Sequence, residues 1–312
     1  MAKNNYSINC NTKSVDRLKN ISIFYRTGFF LLLLLVSFNH IKAQSSDIIT
    51  KDIKFESEGV SLAGTVYTPQ YSHAAVVLVH GSGQESRMRD FALLLAKNGI
   101  SVFTYDKRGV GESDGVYAGP EVSTNNVDSF NLNLLAKDAS AAINILHQQN
   151  KNIPIGLIGF SQAGWIIPIA TNINPLVDFM VIFCGPVVPT LEQLRFQFFT
   201  DGNPNFWDNH TEAEVREHIL NATDRYQFEN TDPYDTLSKL SVPGIWLLGG
   251  KDIQIPVGLS IERLNTLKTQ SKPYEYCFFP SLGHNVAFSD STQPIDIAIH
   301  WIKERKHCMR SK

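Results

Sequence analysis

One serine in this chain has the neighbours that a nucleophilic serine requires. Ser161 follows the apolar run Ile155–Ile158, lies between Gly159 and Ala163, and precedes the mostly apolar stretch Trp165–Ala170. The pattern predicts a strand, a sharp turn and a helix, with the serine hydroxyl projecting from the turn. Small residues are needed two positions before and after the serine because the strand and helix backbones approach closely there. Ala163 departs from the strict G-x-S-x-G pattern by one methyl group.

A carboxylate and an imidazole follow later in the chain, each at the end of a predicted strand. Asp252 comes after the strand Gly244–Leu248, and His284 lies in a loop after the strand Pro273–Phe279. A serine hydroxyl becomes a strong nucleophile when a base removes its proton, and a carboxylate holds that base in the right tautomer. Loops at the carboxyl ends of parallel strands meet at one edge of the sheet. We therefore expect Ser161, Asp252 and His284 to lie near one another.

The elements that must position these side chains alternate along the chain. Residues 52–67 predict a hairpin, and buried strands then alternate with amphipathic or apolar helices. This order predicts an α/β fold with a mostly parallel central sheet and helices on both faces. The further predicted strands and helices are Ala74–Val79, Ile100–Tyr105, Val127–His147, Val177–Phe183, Val257–Thr269 and Ile295–Lys306.

One stretch interrupts the alternation of strands and helices. Residues 187 to about 240 are rich in aromatic residues, contain helical pieces such as Glu212–Leu220, and show no convincing strand pattern. We predict a helical cap that lies over one end of the sheet, its aromatic residues forming one wall of an apolar substrate pocket. The alternative is an irregular connection packed away from any site.

Five short motifs carry a resemblance to a known family. They are His80-Gly-Ser-Gly83, Asp106-x-Arg-Gly-x-Gly-x-Ser113, Gly159-x-Ser161-x-Ala163, Gly250-Lys-Asp252 and Gly283-His284. With these motifs the chain resembles α/β-hydrolase fold enzymes, in the serine-hydrolase branch that includes small esterases, acyl thioesterases and serine aminopeptidases. The similarity extends from about residue 52 to 306.

The resemblance implies a role for each motif position. It implies Ser161 as the nucleophile, His284 as the general base and then acid, and Asp252 as the residue that orients His284. The oxyanion hole would be formed by the backbone N–H groups of Ser82 and Gln162. Loop residues His80, Asp106 and Arg108 are expected to be structural, with Asp106 and Arg108 in a paired network. No histidine or carboxylate spacing indicates a metal site, and no glycine loop is suited to phosphate, so we expect no cofactor or metal.

The N-terminus predicts export. An eleven-residue apolar segment, residues 28–38, follows several basic residues and precedes Ile41-Lys42-Ala43. It is too short for a bilayer core, which takes about 20 helical residues, and its layout is that of a signal peptide cleaved after Ala43. The predicted domains are therefore a signal peptide, residues 1–43, and a hydrolase domain, residues 44–312. An uncleaved membrane anchor is the alternative.

Composition and charge narrow the classes of partner. The chain has 312 residues and a formal net charge of −2, which gives no electrostatic reason to expect nucleic acid or an anionic surface. Cys184 and Cys277 lie in apolar runs, so we expect no disulfide framework. The favoured hypothesis is an exported serine hydrolase acting on a small-molecule ester or acyl substrate, with no stable membrane span after cleavage. The alternatives are a peptidase or aminopeptidase, a thioesterase, and a non-catalytic binding protein.

Overall fold

The computed structural model describes residues 47–117, 128–222 and 230–309, and the predicted signal peptide lies outside the described residues. Within them, the chain forms an eight-stranded sheet with the strand order β1-β2-β4-β3-β5-β6-β7-β8. The first two pairings, β1 with β2 and β2 with β4, are antiparallel, and all the later pairings are parallel. The strands are β1 (Ile49–Ser57), β2 (Val60–Thr68), β3 (Ala74–Val79), β4 (Ile100–Tyr105), β5 (Ile155–Phe160), β6 (Phe179–Phe183), β7 (Gly244–Gly249) and β8 (Tyr274–Phe279).

The five strands from β3 to β7 are buried along their whole length. Successive side chains of a strand point to opposite faces, so complete burial requires that helices cover both faces of the sheet. The continuous apolar runs of the sequence therefore correspond to the centre of the sheet, and β5, which is followed directly by Ser161, lies in the middle of it.

The hairpin at the N-terminal edge turns through Glu58 and Gly59, whose φ angles are +48° and +75°. Two consecutive residues with positive φ form the turn that matches the twist of paired antiparallel strands. The hairpin is three residues longer at its start than the sequence pattern predicts, because polar Thr50 and Lys51 pair with Tyr67 and Val66 through their backbones alone.

Helices connect the parallel strands, and their bounds in the structure are close to those predicted. Helix α2 packs against α3, and α9 follows a short 3₁₀ turn, Val286–Phe288, that comes after the His284 loop. Among the described residues, no helix is both long enough and apolar enough to cross a bilayer. The helices of the sheet domain are α1 (Arg89–Lys97), α2 (Asp128–Gln149), α3 (Ala163–Ile173), α8 (Val257–Thr269) and α9 (Gln293–Met309).

The interruption between β6 and β7 is helical. It contains α4 (Thr190–Thr200), α5 (Phe206–Asn209), α6 (Glu212–Asn221) and α7 (Pro233–Leu237). Helix α6 begins with a reciprocal capping box between Thr211 and Glu214. These helices, called the cap below, have a small apolar core of their own, formed by Phe196, Phe206, Val215 and Ile219.

Candidate active site

Ser161 occupies a strained turn between β5 and α3. Its φ angle is +50°, a left-handed conformation that residues with a side chain adopt rarely and at a cost in free energy. The turn is held on both sides, because the N–H of Ser161 donates to the carbonyl of Phe183 (2.9 Å) and its own carbonyl accepts from Gly164 (2.9 Å). The turn predicted from the sequence is therefore present, with Ser161 at its apex.

The close approach that the turn requires also explains Ala163. A Cβ atom added to Gly159 would lie 2.4 Å from the Cβ of Ala163 and 2.7 Å from the Cδ1 of Ile167, which is too close for either contact. One of the two flanking positions must therefore be glycine, and the other has room for a methyl group. Ala163 is fully buried, so its methyl fills the space beside Gly159 instead of distorting the turn.

Asp252 and His284 form a hydrogen-bonded pair at the same edge of the sheet. The Oδ2 atom of Asp252 lies 2.8 Å from the Nδ1 atom of His284. The Oδ1 atom of Asp252 accepts hydrogen bonds from the backbone N–H groups of Gln254 (2.7 Å) and Ile255 (3.0 Å). Both carboxylate oxygens are thus engaged, and a carboxylate that accepts at Nδ1 fixes the tautomer that leaves Nε2 able to take a proton. The Asp252 side chain is buried, whereas that of His284 is 17% exposed.

Backbone packing brings the Asp252 and His284 loops together. The N–H of Lys251 donates to the carbonyl of Leu282 at 2.8 Å. A Cβ atom added to Gly249 would lie 2.2 Å from the carbonyl oxygen of Gly283, so only glycine fits at that position. The glycines next to the candidate residues therefore allow two loops, from neighbouring strands, to touch through their main chains.

Cys184 lies between the Ser161 turn and this pair. It follows Phe183, whose carbonyl accepts from the N–H of Ser161, and its thiol is 3.8 Å from the carbonyl oxygen of Gly283. Burial, and then the charge of Asp252, raise the pKa of the Cys184 thiol well above its usual value, so the thiol is neutral. The sequence predicted a buried cysteine here but gave no sign that it borders Asp252.

Cys184, Asp252 and His284 also make up the group of possible metal ligands found among the described residues. Their ligand atoms lie within 4.8 Å of one another. The 2.8 Å separation of Oδ2 and Nδ1 is that of two atoms sharing a proton, and it is shorter than the spacing of two ligands around one ion. The arrangement fits a hydrogen-bonded acid–base pair better than a metal centre.

The loop after β3 lies beside the Ser161 turn. A Cβ atom added to Gly81 would be 3.7 Å from the Cβ of Ser161 and 3.6 Å from the carbonyl oxygen of Phe160. Gln162, the other predicted donor, is buried and stands at the N-cap position of α3, where backbone N–H groups have no partner within the helix. The structure thus brings the segments that carry Ser82 and Gln162 next to Ser161.

His80 is buried in this loop and its ring packs edge-on against Tyr105, with ring centroids 4.9 Å apart. Burial lowers the pKa of His80 to about 3, and the nearby charge of Lys107 contributes to the shift. A neutral, enclosed ring is suited to shaping the loop, as the sequence predicted, and not to transferring protons at neutral pH.

Asp106 and Arg108 each belong to a network of paired charges, as predicted, but their partners lie outside the motif. Asp106 binds the guanidinium of Arg87 through both carboxylate oxygens (3.1 and 2.7 Å), whereas Arg108 binds Asp138 on α2. Burial alone would raise the pKa of Asp106, but the hydrogen bonds from Arg87 and from the N–H of Glu112 outweigh it and lower that pKa. The partners come from distant parts of the chain, so spacing within the motif gave no signal for them.

The cap contacts the loop that carries Asp252. The indole N–H of Trp207 donates to the backbone carbonyl of Asp252 (2.7 Å), and the Thr200 hydroxyl donates to the carbonyl of Ile253 (2.7 Å). The buried rings of Phe196 and Phe206 pack within the cap, so they do not line an open pocket as the sequence analysis expected. The predicted aromatic residues Tyr226 and Phe228 lie outside the described residues.

The aromatic surface beside Ser161 comes instead from the sheet domain. Phe160, which precedes Ser161, packs against Phe183 and Phe288, with ring centroids 5.5 and 5.3 Å apart. Phe91 joins this group at 5.2 Å from Phe160. Phe288 is 59% exposed, so this aromatic group reaches the surface four residues after His284.

Comparison with known proteins shows what this chain is similar to. Residues 70–205 match the family model described as serine aminopeptidase, S33. A curated relative from Bradyrhizobium, a probable 2-oxo-3-(5-oxofuran-2-ylidene)propanoate lactonase, is 23% identical over 250 residues, which cover 79% of this chain and 86% of the relative.

Solved structures of the same architecture include a Pyrococcus furiosus esterase, with a TM-score of 0.59 and 17% identity over 83% of this chain and 91% of the esterase. The acylaminoacyl peptidase of Pyrococcus horikoshii matches with a TM-score of 0.55 and 16% identity over 82% of this chain, but this chain covers only 41% of that peptidase. The solved structures show that this chain has the α/β-hydrolase fold, and the family model and the curated relative show that it is similar to hydrolases.

Proposed function

We propose that this α/β-hydrolase fold protein is an exported enzyme that cleaves carboxylic esters, with Ser161, His284 and Asp252 as a catalytic triad. The observation that carries the proposal is the 2.8 Å hydrogen bond between Asp252 and His284, made at the sheet edge where Ser161 stands in a left-handed turn. A buried carboxylate, an oriented imidazole and a strained serine are the three parts that acyl transfer requires.

In this mechanism the Oγ atom of Ser161 attacks the ester carbonyl while Nε2 of His284 takes its proton. The negative charge moves to the carbonyl oxygen, where the N–H groups of Ser82 and Gln162 would bind it, each contributing on the order of 3 kcal/mol. When the intermediate collapses, the bond between the carbonyl carbon and the alkoxide breaks, and His284 gives its proton to the alkoxide, which leaves as an alcohol. The acyl group stays bound to the Oγ atom of Ser161 as an acyl-enzyme. Water, deprotonated by His284, repeats the attack, and the acid is released with Ser161 restored.

The positions of three glutamates favour an ester over the free amine end of a peptide. An aminopeptidase needs carboxylates that are available to hold an ammonium group. Glu214 is used in the capping box of α6, Glu212 pairs with Arg216, and Glu192 is half-buried near Arg263. Burial also raises the pKa of both Glu192 and Glu212.

A lactone is a cyclic carboxylic ester, and the curated relative is named as a probable lactonase. We therefore include lactones within the proposed substrate class. The exposed ring of Phe288, together with Phe160, offers apolar contact for the acyl or alcohol group of a small substrate.

Export is the second part of the proposal and depends on the sequence of residues 1–43. Mass spectrometry of the protein secreted by cells expressing the full chain should find a mature N-terminus at Gln44. A chain that keeps residues 1–43 and stays with the membrane fraction would show that the segment is an anchor.

The experiment for catalysis is labelling with a fluorophosphonate probe, followed by peptide mapping. We expect one adduct, on Ser161, in the folded protein, and none in the Ser161→Ala variant. No adduct on Ser161 in correctly folded protein at neutral pH would exclude both the esterase and the peptidase mechanisms and favour a binding protein.

A substrate panel then separates the reaction classes. Short-chain p-nitrophenyl esters and small lactones should be hydrolysed faster than acyl thioesters or aminoacyl p-nitroanilides, with Ser161→Ala as the blank. Faster turnover of the anilides would replace the ester proposal with an aminopeptidase, and faster turnover of the thioesters would replace it with a thioesterase.

A further inference from the structure

A buried lysine holds the loop that carries Ser82. Lys107 follows β4 and is only 1% exposed. Its ammonium group donates to the carbonyl oxygens of Gly81 (2.7 Å) and Gly83 (3.0 Å), and its backbone N–H donates to the carbonyl of Glu85 (3.0 Å). One residue therefore binds three carbonyl groups of the five-residue segment 81–85.

These contacts fix the direction of backbone N–H groups. The peptide unit is planar and trans, so its carbonyl and its N–H point in opposite directions. When the Gly81 carbonyl points towards Lys107, the N–H of Ser82, in the same peptide, points away from Lys107. The position of Gly81 beside the Cβ of Ser161 puts this peptide next to the candidate nucleophile.

The loop at residues 81–85 needs such a restraint because its own residues restrict the backbone conformation only weakly. Two of its residues are glycines, and Gly83 has a φ of +96°, a conformation open to glycine and few other residues. A flexible loop would have to be ordered each time the oxyanion forms, at an entropic cost of about 1 kcal/mol or more per residue. Lys107 orders it in advance.

The charge of Lys107 adds a second effect. A cation bound to the Gly81 carbonyl polarises that peptide and makes the Ser82 N–H a stronger donor, because linked hydrogen bonds reinforce one another. The charge is felt within the same loop, where it helps to lower the pKa of His80. Desolvation of a buried ammonium is costly, which favours loop conformations that keep the carbonyl oxygens of Gly81 and Gly83 on it.

We propose that Lys107 is a positioning residue that aims the N–H of Ser82 at the oxyanion. This inference rests on the proposed esterase function. It predicts that Lys107 lowers the free energy of the transition state and hardly changes that of the bound ester, because the negative charge on the carbonyl oxygen is absent from the ground state.

The test compares Lys107→Met with Lys107→Arg, measuring kcat per active site titrated with the fluorophosphonate probe. We expect Lys107→Met to lower kcat by about 10- to 100-fold, with KM changed less than about 3-fold, because an oxyanion donor is mispositioned but not removed. Lys107→Arg, which keeps the charge and the donors, should recover most of the loss. The Ki of a trifluoromethyl ketone, which forms a tetrahedral adduct, should rise by the factor by which kcat/KM falls.

Lys272→Met is the matched control. Its ammonium also donates to a backbone carbonyl, that of Leu240 (3.1 Å), but before β8 and away from the Ser161 turn. We expect kcat per titrated site to be unchanged in this variant. If Lys107→Met does not fold, Lys107→Gln, which keeps a neutral N–H donor, is judged by the same criteria.

The two proposals fail in different ways. Wild-type protein without labelling at Ser161 and without ester turnover would overturn the proposed function. Wild-type protein that is labelled and active, but whose kcat per titrated site and ketone Ki are unchanged in Lys107→Met, would overturn the role of Lys107 alone.

Discussion

The two loops that flank Ser161 are held in different ways. The loop at residues 81–85 is fixed from within the sheet domain, by Lys107 at the end of the neighbouring strand β4. The loop that carries Asp252 is fixed in part by the cap, through Trp207 and Thr200. In these hydrogen bonds the loop that carries Ser82 is held without the cap, whereas the loop that carries Asp252 depends in part on how the cap docks.

The largest effect on kcat is expected from a change in Asp252, which is hydrogen-bonded to His284. Asp252→Asn keeps the shape of the side chain but can no longer hold the tautomer of His284 that accepts the serine proton. We expect kcat to fall on the order of 10⁴-fold with little change in KM, measured by initial rates on a p-nitrophenyl ester. Asp235→Asn, at an exposed position of the cap, should leave kcat unchanged. A loss of less than 10-fold in Asp252→Asn would assign the orienting role to another residue.

Buried His80, which precedes the loop that Lys107 binds, should make the free energy of unfolding fall at acid pH. His80 has its pKa lowered to about 3 by burial and by Lys107, so between pH 6.5 and 3 the unfolded chain binds a proton that the folded chain does not. This contribution to stability is fully present above pH 6.5 and is lost as the pH falls towards 3. We expect the advantage of wild type over His80→Gln to shrink by up to about 2 kcal/mol between pH 6.5 and 4.5.

Denaturant titrations at the two pH values measure this change. Gln148→Asn, at an exposed position of α2, is the control, because neither side chain titrates. Its difference from wild type should be the same at pH 6.5 and 4.5. An equally constant difference for His80→Gln would mean that His80 takes a proton in the folded protein.

A smaller effect on kcat is expected from a change in Trp207, through which the cap contacts the loop that carries Asp252. Trp207→Phe keeps most of the ring but removes the N–H that binds the carbonyl of Asp252. One hydrogen bond contributes about 1 kcal/mol, so we expect kcat to fall about 3- to 10-fold. Trp301→Phe also removes an indole hydrogen bond, to Glu275 on β8, and should reduce the melting temperature without lowering kcat. Equal effects of both variants on kcat would show that the cap contact is merely structural.

A double variant tests whether the loop at residues 81–85 and the loop that carries Asp252 are held independently. Because Lys107 and Trp207 bind carbonyl groups of separate loops, their effects on log kcat should add in the Lys107→Met/Trp207→Phe double variant, to within about 0.5 kcal/mol. A larger deviation, measured in a double-mutant cycle on one ester, would mean that the cap also controls the loop at residues 81–85.

Several parts of the fold could be predicted because they depend on local pattern. The strands β3 and β4 and the helix α8 have the predicted bounds, since each is a continuous apolar or periodic run ended by a loop residue. The hairpin and helix α9 extend beyond their predicted ends, because backbone hydrogen bonding continues past the apolar pattern. The hydrophobic pattern of a segment indicates which of its side chains are buried, but it indicates much less clearly how far its backbone hydrogen bonds extend.

In the candidate site, too, the features that depend on local pattern could be predicted and the contacts between distant residues could not. The Ser161 turn was predicted because its geometry demands small residues, and Gly159 and Ala163 are visible in the sequence. The partners Arg87 and Asp138 were missed, because they lie outside the motif and reach it only through the folded chain. The aromatic residues of the cap were identified, but their pattern could not say whether they face the site or one another.

The sequence by itself determined the chain order of Ser161, Asp252 and His284 and the strand ends that carry them. Those features follow from hydrophobic periodicity and from the steric demands of a tight turn, which act over a few residues. Only the tertiary structure decided that Lys107 binds the loop at residues 81–85 and that Trp207 binds the Asp252 carbonyl. Such contacts join residues 26 and 45 positions apart, and they depend on how neighbouring strands and the cap are packed, which short-range pattern does not specify.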